Sequence, residues 1–287
     1  MIESALSAPG DVVGQGSPPR VPLRLSDAEL LVALAVQEQS LVPSMPGVPA
    51  GWWWSQPEPA RLAALQESRR NLVRRHLLVE LGDQVSLAPP LVRLFARCWA
   101  ADRVLAVFRT PFLGREEVWV AYLGPAARLG ARCLRHLGLP DGMHQFEMLE
   151  GRELIADLKE FLGLSDGYRV PCPAVRLPED RLQAIWREGL CGGPSGAADL
   201  LREAGVPGDA AELLSQLLSG SATTIGFLAM RRRGRTIVAA RGFGLVDGAA
   251  AGIWLLSSAG ESSESLVQLE TVSRDSVDQV LTALCDA

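Results

Sequence analysis

Val104-Leu105-Ala106-Val107-Phe108 runs into a turn carrying Gly114-Arg115 and returns as Glu117-Val118-Trp119-Val120-Ala121-Tyr122. Later the chain repeats this order. Thr224-Ile225-Gly226-Phe227-Leu228 reaches Gly234-Arg235 and returns as Thr236-Ile237-Val238-Ala239-Ala240. Apolar or alternating runs rich in β-branched residues, broken by a glycine-bearing turn, are the signature of a β-hairpin. Two such hairpins with the same turn pair predict a duplicated unit, so the search for further matches proceeds outward from them.

Upstream of the first hairpin, Pro89-Pro90 opens a helix from Leu91 to Trp99, and Ala210 to Leu218 is its counterpart. Further upstream stand Arg24-Leu25-Ser26-Asp27-Ala28-Glu29-Leu30 and Arg176-Leu177-Pro178-Glu179-Asp180-Arg181-Leu182. Each is a short extended lead, a cap-like residue (Ser26) or first-turn proline (Pro178), acids in the first turn, then an amphipathic helix. Downstream, Gln145-Phe146-Glu147-Met148-Leu149 resembles Gln268-Leu269-Glu270-Thr271-Val272, a short strand in each copy. Closing helices follow, with Leu154, Leu158, Phe161 and Leu162 on one face and Val277, Val280, Leu281 and Leu284 on the other copy's face. That spacing places each helix against a sheet.

The shared order predicts an α+β fold of two pseudo-twofold-related halves, with a central antiparallel β-sheet flanked by helical bundles. Each half reads helix-helix-strand-strand-strand-helix. The halves span 21–165 and 174–287, with 166–173 as the linker, marked by Gly167, Pro171 and Pro173. Side-by-side pairing of the hairpins fits this pattern, although sequence alone does not fix it. Residues 1–20, dominated by Ser, Pro and Gly, read as a mobile tail without the pattern of a secretory signal.

Composition bounds the function. A length of 287 residues suits one large domain or two similar halves, and 48% hydrophobic with 21% charged residues is a globular balance. A net charge of -5 argues against a general nucleic-acid binder. Mean hydropathy is +0.14, yet no apolar run is long enough for a membrane span, so no membrane insertion is expected. Cys98, Cys133, Cys172, Cys191 and Cys285 are scattered and read as reduced, mostly buried thiols. Lys159 is the only lysine among 28 lysines and arginines, a skew that looks like GC-rich coding.

Candidate chemistry fails inspection. A phosphate-binding G-x-x-x-x-G-K-[ST] motif is absent. Gly242, Gly244 and Gly248 are spaced one residue too long for a dinucleotide fingerprint and read as a turn, with a further strand expected in Ala249 to Leu256. Gly193-Pro194-Ser195-Gly196 lacks nucleophile-elbow spacing, and Ser195 reads as a helix N-cap. His76 is expected exposed on a polar helix face, His136 near a helix end, and His144 just before a strand. No catalytic residue, metal ligand or cofactor is nominated.

Two features suggest binding surfaces. Arg231-Arg232-Arg233-Gly234-Arg235 reads as solvated arginines guarding a hairpin tip, as a nucleic-acid contact, or as a mate for an acidic patch on a protein. The acidic chain favours the first reading over DNA. Trp52-Trp53-Trp54 lies in a Pro- and Gly-flanked loop, where three adjacent aromatics cannot all pack inward.

The stretches Val21 to Leu30, Leu72 to Phe108, Thr224 to Ala240 and Leu266 to Ala283 together resemble the EspG family of type VII (ESX) secretion-associated chaperones of actinobacteria. The resemblance implies a cytosolic chaperone without catalytic activity that holds the apolar tip of a helical PE–PPE heterodimer, or of a WXG100-like pair. It implies a recognising surface made of the Arg109-Thr110-Pro111-Phe112-Leu113-Gly114-Arg115 turn and of helices from Ala197 to Leu218, including Leu213, Leu214 and Leu217. Phe112 and Leu113 would cover apolar client surface, and Arg109 and Arg115 would pair with acids or cap carbonyls. Against this stands a plain hairpin with Phe112 tucked inward. A rival from another class is a DNA-binding regulator in which Ala60 to Phe108 forms a winged helix, with Arg69, Arg70, Arg74 and Arg75 facing phosphates.

Overall fold

The structure is a computed structural model that describes residues 22–36, 55–82, 84–124, 132–139, 141–165, 172–220, 222–234, 236–258 and 266–286. The Trp52-Trp53-Trp54 cluster, the 1–20 tail and most of the 166–173 linker lie outside these residues. The first half contains β1 (Leu23–Ser26), α1 (Asp27–Val36), α2 (Glu58–Arg74), β2 (Leu78–Leu81), β3 (Gln84–Leu87), α3 (Pro89–Ala100), β4 (Arg103–Thr110), β5 (Glu117–Leu123), β6 (Arg132–Gly138), β7 (Met143–Glu150) and α4 (Gly151–Leu162). The second contains β8 (Val175–Pro178), α5 (Glu179–Gly192), α6 (Pro194–Glu203), α7 (Gly208–Ser219), β9 (Thr223–Arg233), β10 (Thr236–Asp247), β11 (Ile253–Ser258), β12 (Leu266–Val272) and α8 (Arg274–Asp286).

Ten strands form one antiparallel sheet in the order β1-β7-β6-β5-β4-β9-β10-β11-β12-β8. The order is a palindrome: exchanging each strand for its counterpart in the other half reads the sheet backwards. At its centre β4 pairs with β9, from Arg103 opposite Arg231 to Thr110 opposite Thr224. The offset between the two Gly-Arg turns, 234 − 114 = 120, also carries Val107 onto Phe227, and these two residues face each other in the register. A local twofold through that pair therefore relates the halves.

Alternation along the strands sends side chains to two faces. Val104, Ala106, Val118 and Val120 join α1, α2 and α3 in one core. On the same face, Val246, Trp254 and Leu269 pack beneath α5, α6 and α7. Leu105, Val107, Trp119, Ile225 and Phe227 point to the opposite face, under Leu154, Leu158 and Leu162 of α4 and Val277 and Leu281 of α8. Val280, expected on the packed face of α8, is exposed instead.

Each half contributes five strands to the sheet where the repeated pattern held three, and the further strand expected in Ala249 to Leu256 is β11. β6 escapes the sequence because Arg132, Arg135 and His136 interrupt its apolar pattern. Arg135 is nevertheless buried, with Glu147 at 2.6 Å and Asp157 at 3.0 Å from its guanidinium. His136 accordingly lies inside a strand, not at a helix end. The helix expected to carry His76 stops at Arg74, since His76 takes φ 54° and the chain turns into the β2–β3 hairpin. Gly242 and Gly244 lie within β10, not in a turn. Helix α6 is capped by Gly193 with Pro194 behind it, so Ser195 is not its cap.

The first helix starts as its sequence predicts. Ser26 Oγ accepts from the Glu29 amide at 3.1 Å, and Glu29 accepts from the Ser26 amide at 3.0 Å, a reciprocal capping box. Beside it Asp27, His144 and His136 form a buried relay. His136 Nε2 lies 2.8 Å from His144 Nδ1, and His144 Nε2 lies 2.6 Å from Asp27 Oδ1. In the neutral tautomers this geometry allows, His136 donates Nε2–H to His144 Nδ1 and His144 donates Nε2–H to Asp27, while His136 Nδ1 has no hydrogen-bond partner among the described residues. Burial first, then the charges of His144 and Arg135, hold His136 well below the usual imidazole pKa. A histidine depressed in the folded state gives stability that is full above the unfolded value of about 6.5 and is lost as pH falls toward the folded value. Thermal unfolding monitored from neutral to mildly acidic pH is expected to show a decline of at most about 1.4 kcal/mol per pH unit from this residue. The His136→Asn variant should flatten the decline, and an unchanged slope would assign it to other groups.

Candidate partner-binding surface

The β4–β5 connection presents the most exposed large apolar side chain of the described residues, Leu113. Gly114 donates its amide to Pro111 O at 2.9 Å, closing a four-residue turn. Leu113, third in that turn, takes φ 58°, the positive value that a type II turn requires and that glycine or asparagine usually supplies. Leu113 is 91% exposed and Phe112 is 41% exposed. Phe112 is therefore not tucked inward. A leucine held in the left-handed region with its side chain in solvent costs roughly 1–3 kcal/mol and gains no packing in return.

The stem of this turn is rigid. Arg109 and Glu117 face each other across the strand pair and form an ion pair at 2.8 Å. The Arg109 guanidinium also lies over the end of α4, where a Cβ on Gly163 would be 3.7 Å from Nη2. A cation there complements the partial negative charge of a helix C-terminus. Arg109 thus braces the turn, with its charge already partnered. Arg115, just past the turn, is exposed.

Strand pairing decides what lies beside the turn. Thr110 is opposite Thr224, so the turn emerges next to the segment that leaves α7 and enters β9. At that exit α5 packs tightly, and a Cβ on Gly189 would meet Leu218 O at 3.0 Å. The next residue, Leu190, is 55% exposed. Phe112, Leu113 and Leu190 are thereby brought to the same end of the sheet, on elements joined through the α7 exit.

Burial corrects the expectation for α7. Leu214 and Leu217 are sealed in the core under the bundle, and Leu213 is half-buried. The outer face of that helix carries Asp209, Glu212 and Gln216. Periodicity identified an apolar stripe correctly, but the stripe packs on the sheet. Leu190 was missed because one apolar residue next to Gly189 carries no pattern.

The other sequence candidates fall elsewhere. Arg69 pairs with Glu80, Arg70 and Arg74 with Glu67, and Arg75 with Glu29, so all four arginines of the winged-helix reading carry carboxylate partners. Burial pushes the Cys98 thiol up to about 12 and raises Cys133 and Cys172. The Asp27–His144–His136 relay has the order of a catalytic triad, but all three groups are sealed from solvent, with no access for a substrate. Among the described residues no group of three or more His, Cys, Asp or Glu residues is placed to hold a metal ion, and no helix is long and apolar enough to cross a membrane.

No protein-family model matches the chain, and no curated protein matches it. Among solved structures, the chain is similar to the Mycobacterium tuberculosis type VII secretion system chaperone EspG5, determined in complex with the PE25–PPE41 dimer. The match has a TM-score of 0.57 at 13% identity and covers 93% of this chain and 96% of the other. At that identity the likeness is one of fold.

The α5–α7 contact gives a prediction whose sign is diagnostic. Replacing a mid-helix glycine by alanine ordinarily stabilises by about 0.5–1 kcal/mol. Gly189→Ala should instead destabilise by about 1–3 kcal/mol, because the added methyl meets the Leu218 backbone. Chemical denaturation measures this, and a stabilised variant would show that the α7 exit is loosely packed.

Proposed function

We propose that this protein is a cytosolic chaperone or adaptor of type VII secretion. It binds the apolar helical tip of a secreted PE–PPE-type heterodimer and keeps that pair soluble until export. The observation that carries this reading is Leu113: an apolar side chain displayed at positive φ in a fold shared with a chaperone that binds such a dimer. Backbone strain kept at an exposed hydrophobic tip is accounted for when a partner covers it. Phe112, Leu113 and Leu190 would form the apolar contact, Arg115 would reach acids or helix-end carbonyls of the client, and Arg109 would hold the turn from behind. The half-buried Leu213 would lie at the margin of that contact.

The reading requires no catalysis and no cofactor. A DNA-binding role has less support, since each of its four nominated arginines is paired with a carboxylate.

Two variants test the proposal. Phe112→Asp/Leu113→Asp should leave thermal stability nearly unchanged and abolish recovery of a helical PE–PPE-type or WXG100-like pair in a pull-down from native cytosol. Recovery of DNA, or of nothing specific to the intact turn, would sink the proposal. Leu113→Gly removes the strain while keeping the turn, so it should gain about 0.5–1 kcal/mol of stability and lose client affinity. A gain of stability with affinity intact would leave Leu113 without a part in binding.

A further inference from the structure

A second surface lies at the other end of the sheet. β4 begins opposite Arg231 and ends opposite Thr224, so the β9–β10 turn and the Phe112–Leu113 turn project in opposite directions. Here β10 outgrows its neighbours. Only Gly244 to Asp247 pair with β11, whereas Thr236 to Phe243 have β9 on one side and, among the described residues, no strand on the other. Thr236 through Gly242 are exposed, including Ile237 and Val238. In an antiparallel edge, alternate residues direct both their N–H and C=O outward, an open template for another strand.

Charge identifies the occupant. Arg232 is buried, donating to Cys98 O at 3.0 Å, so it belongs to the fold. Arg231, Arg233 and Arg241 are exposed, and none has an ion-pair partner among the described residues. Arg231 and Arg241 border a groove of about 330 Å³ whose apolar lining includes Leu123, Ala229 and Ala239. In a chain of net charge -5, three exposed guanidinium groups around this edge, none ion-paired among the described residues, are a local reversal of sign. A second copy of the chain would gather the arginines of both copies at one seam, which like-charge repulsion opposes. Nucleic acid would use the arginines but leave the edge amides, Ile237 and Val238 without a role.

We infer that the Thr236–Phe243 edge of β10 receives an extended, acidic peptide segment of a protein partner as an added strand. Main-chain hydrogen bonds supply the pairing, Arg231, Arg233 and Arg241 take its carboxylates, and the groove takes its small apolar side chains. This surface is independent of the Phe112–Leu113 turn, and either can fail without the other.

The test uses the full chain and a fluorescent peptide of alternating glutamate and valine. Its controls are a lysine–valine peptide and an acidic peptide with proline at alternate positions, which cannot complete a ladder. Saturable anisotropy binding of the glutamate–valine peptide is expected, with slowed amide exchange over 236–243 and little binding of either control. Arg231→Glu/Arg241→Glu should weaken it about tenfold and Arg231→Gln/Arg241→Gln less, both keeping the wild-type unfolding temperature. Equal binding of the lysine or proline peptide, or binding unaltered in both double variants, would overturn the inference. So would preferential binding of an oligonucleotide, or a dimer of the free chain that already protects the edge amides.

Discussion

The β4–β9 pairing is the constraint on which the rest of the molecule depends. Each half supplies five strands and its own helical layer, and the halves become one sheet because Arg103 to Thr110 hydrogen-bonds to Arg231 through Thr224. Around that seam the two halves share a core, with Val107 and Trp119 beside Phe227 and Leu245. Lys159 of α4 reaches Asp278 of α8 at 2.6 Å across the same face, and Ser165 binds Asp247 at the end of β10. A slip of this register by one residue would turn Val107 and Phe227 onto the wrong face, so burial on both faces fixes it.

That register also sets where the two unusual surfaces lie. Because Thr110 meets Thr224, the strained turn emerges beside the α7 exit and the α5 end. Because Arg103 meets Arg231, the longer second hairpin runs on at the opposite end, where part of β10 has β9 on one side and, among the described residues, no strand on the other. The twofold relates the strand cores but not their connections. The first hairpin closes through 111–116, whereas the second is already paired at Arg233 opposite Thr236, and the surplus strand length is the part of β10 with no second neighbour among the described residues.

Much of the fold was legible because hairpins, caps and amphipathic helices are local. The paired Gly-Arg turns, the Ser26 cap and the helices after Pro89 and before Thr223 all follow from nearby residues. β6 was not, since its Arg135 and His136 are partnered by Asp157, Glu147 and His144, residues that only the tertiary fold brings close. The candidate site divides the same way. Phe112 and Leu113 stand out in a glycine-bearing turn, and the turn does present them to solvent. Leu214 and Leu217 stand out equally in a helical stripe, but a stripe records that a face is buried without telling whether a sheet or a partner buries it.

The most direct test of the account is amide hydrogen exchange along the whole chain, with and without a helical PE–PPE-type pair. The account predicts slowed exchange in two separated stretches, the 110–117 turn and the end of α5 with the α7 exit, while α1 to α3 stay unchanged. Protection centred on α1 to α3, or none at 110–117 under saturating partner, would contradict it.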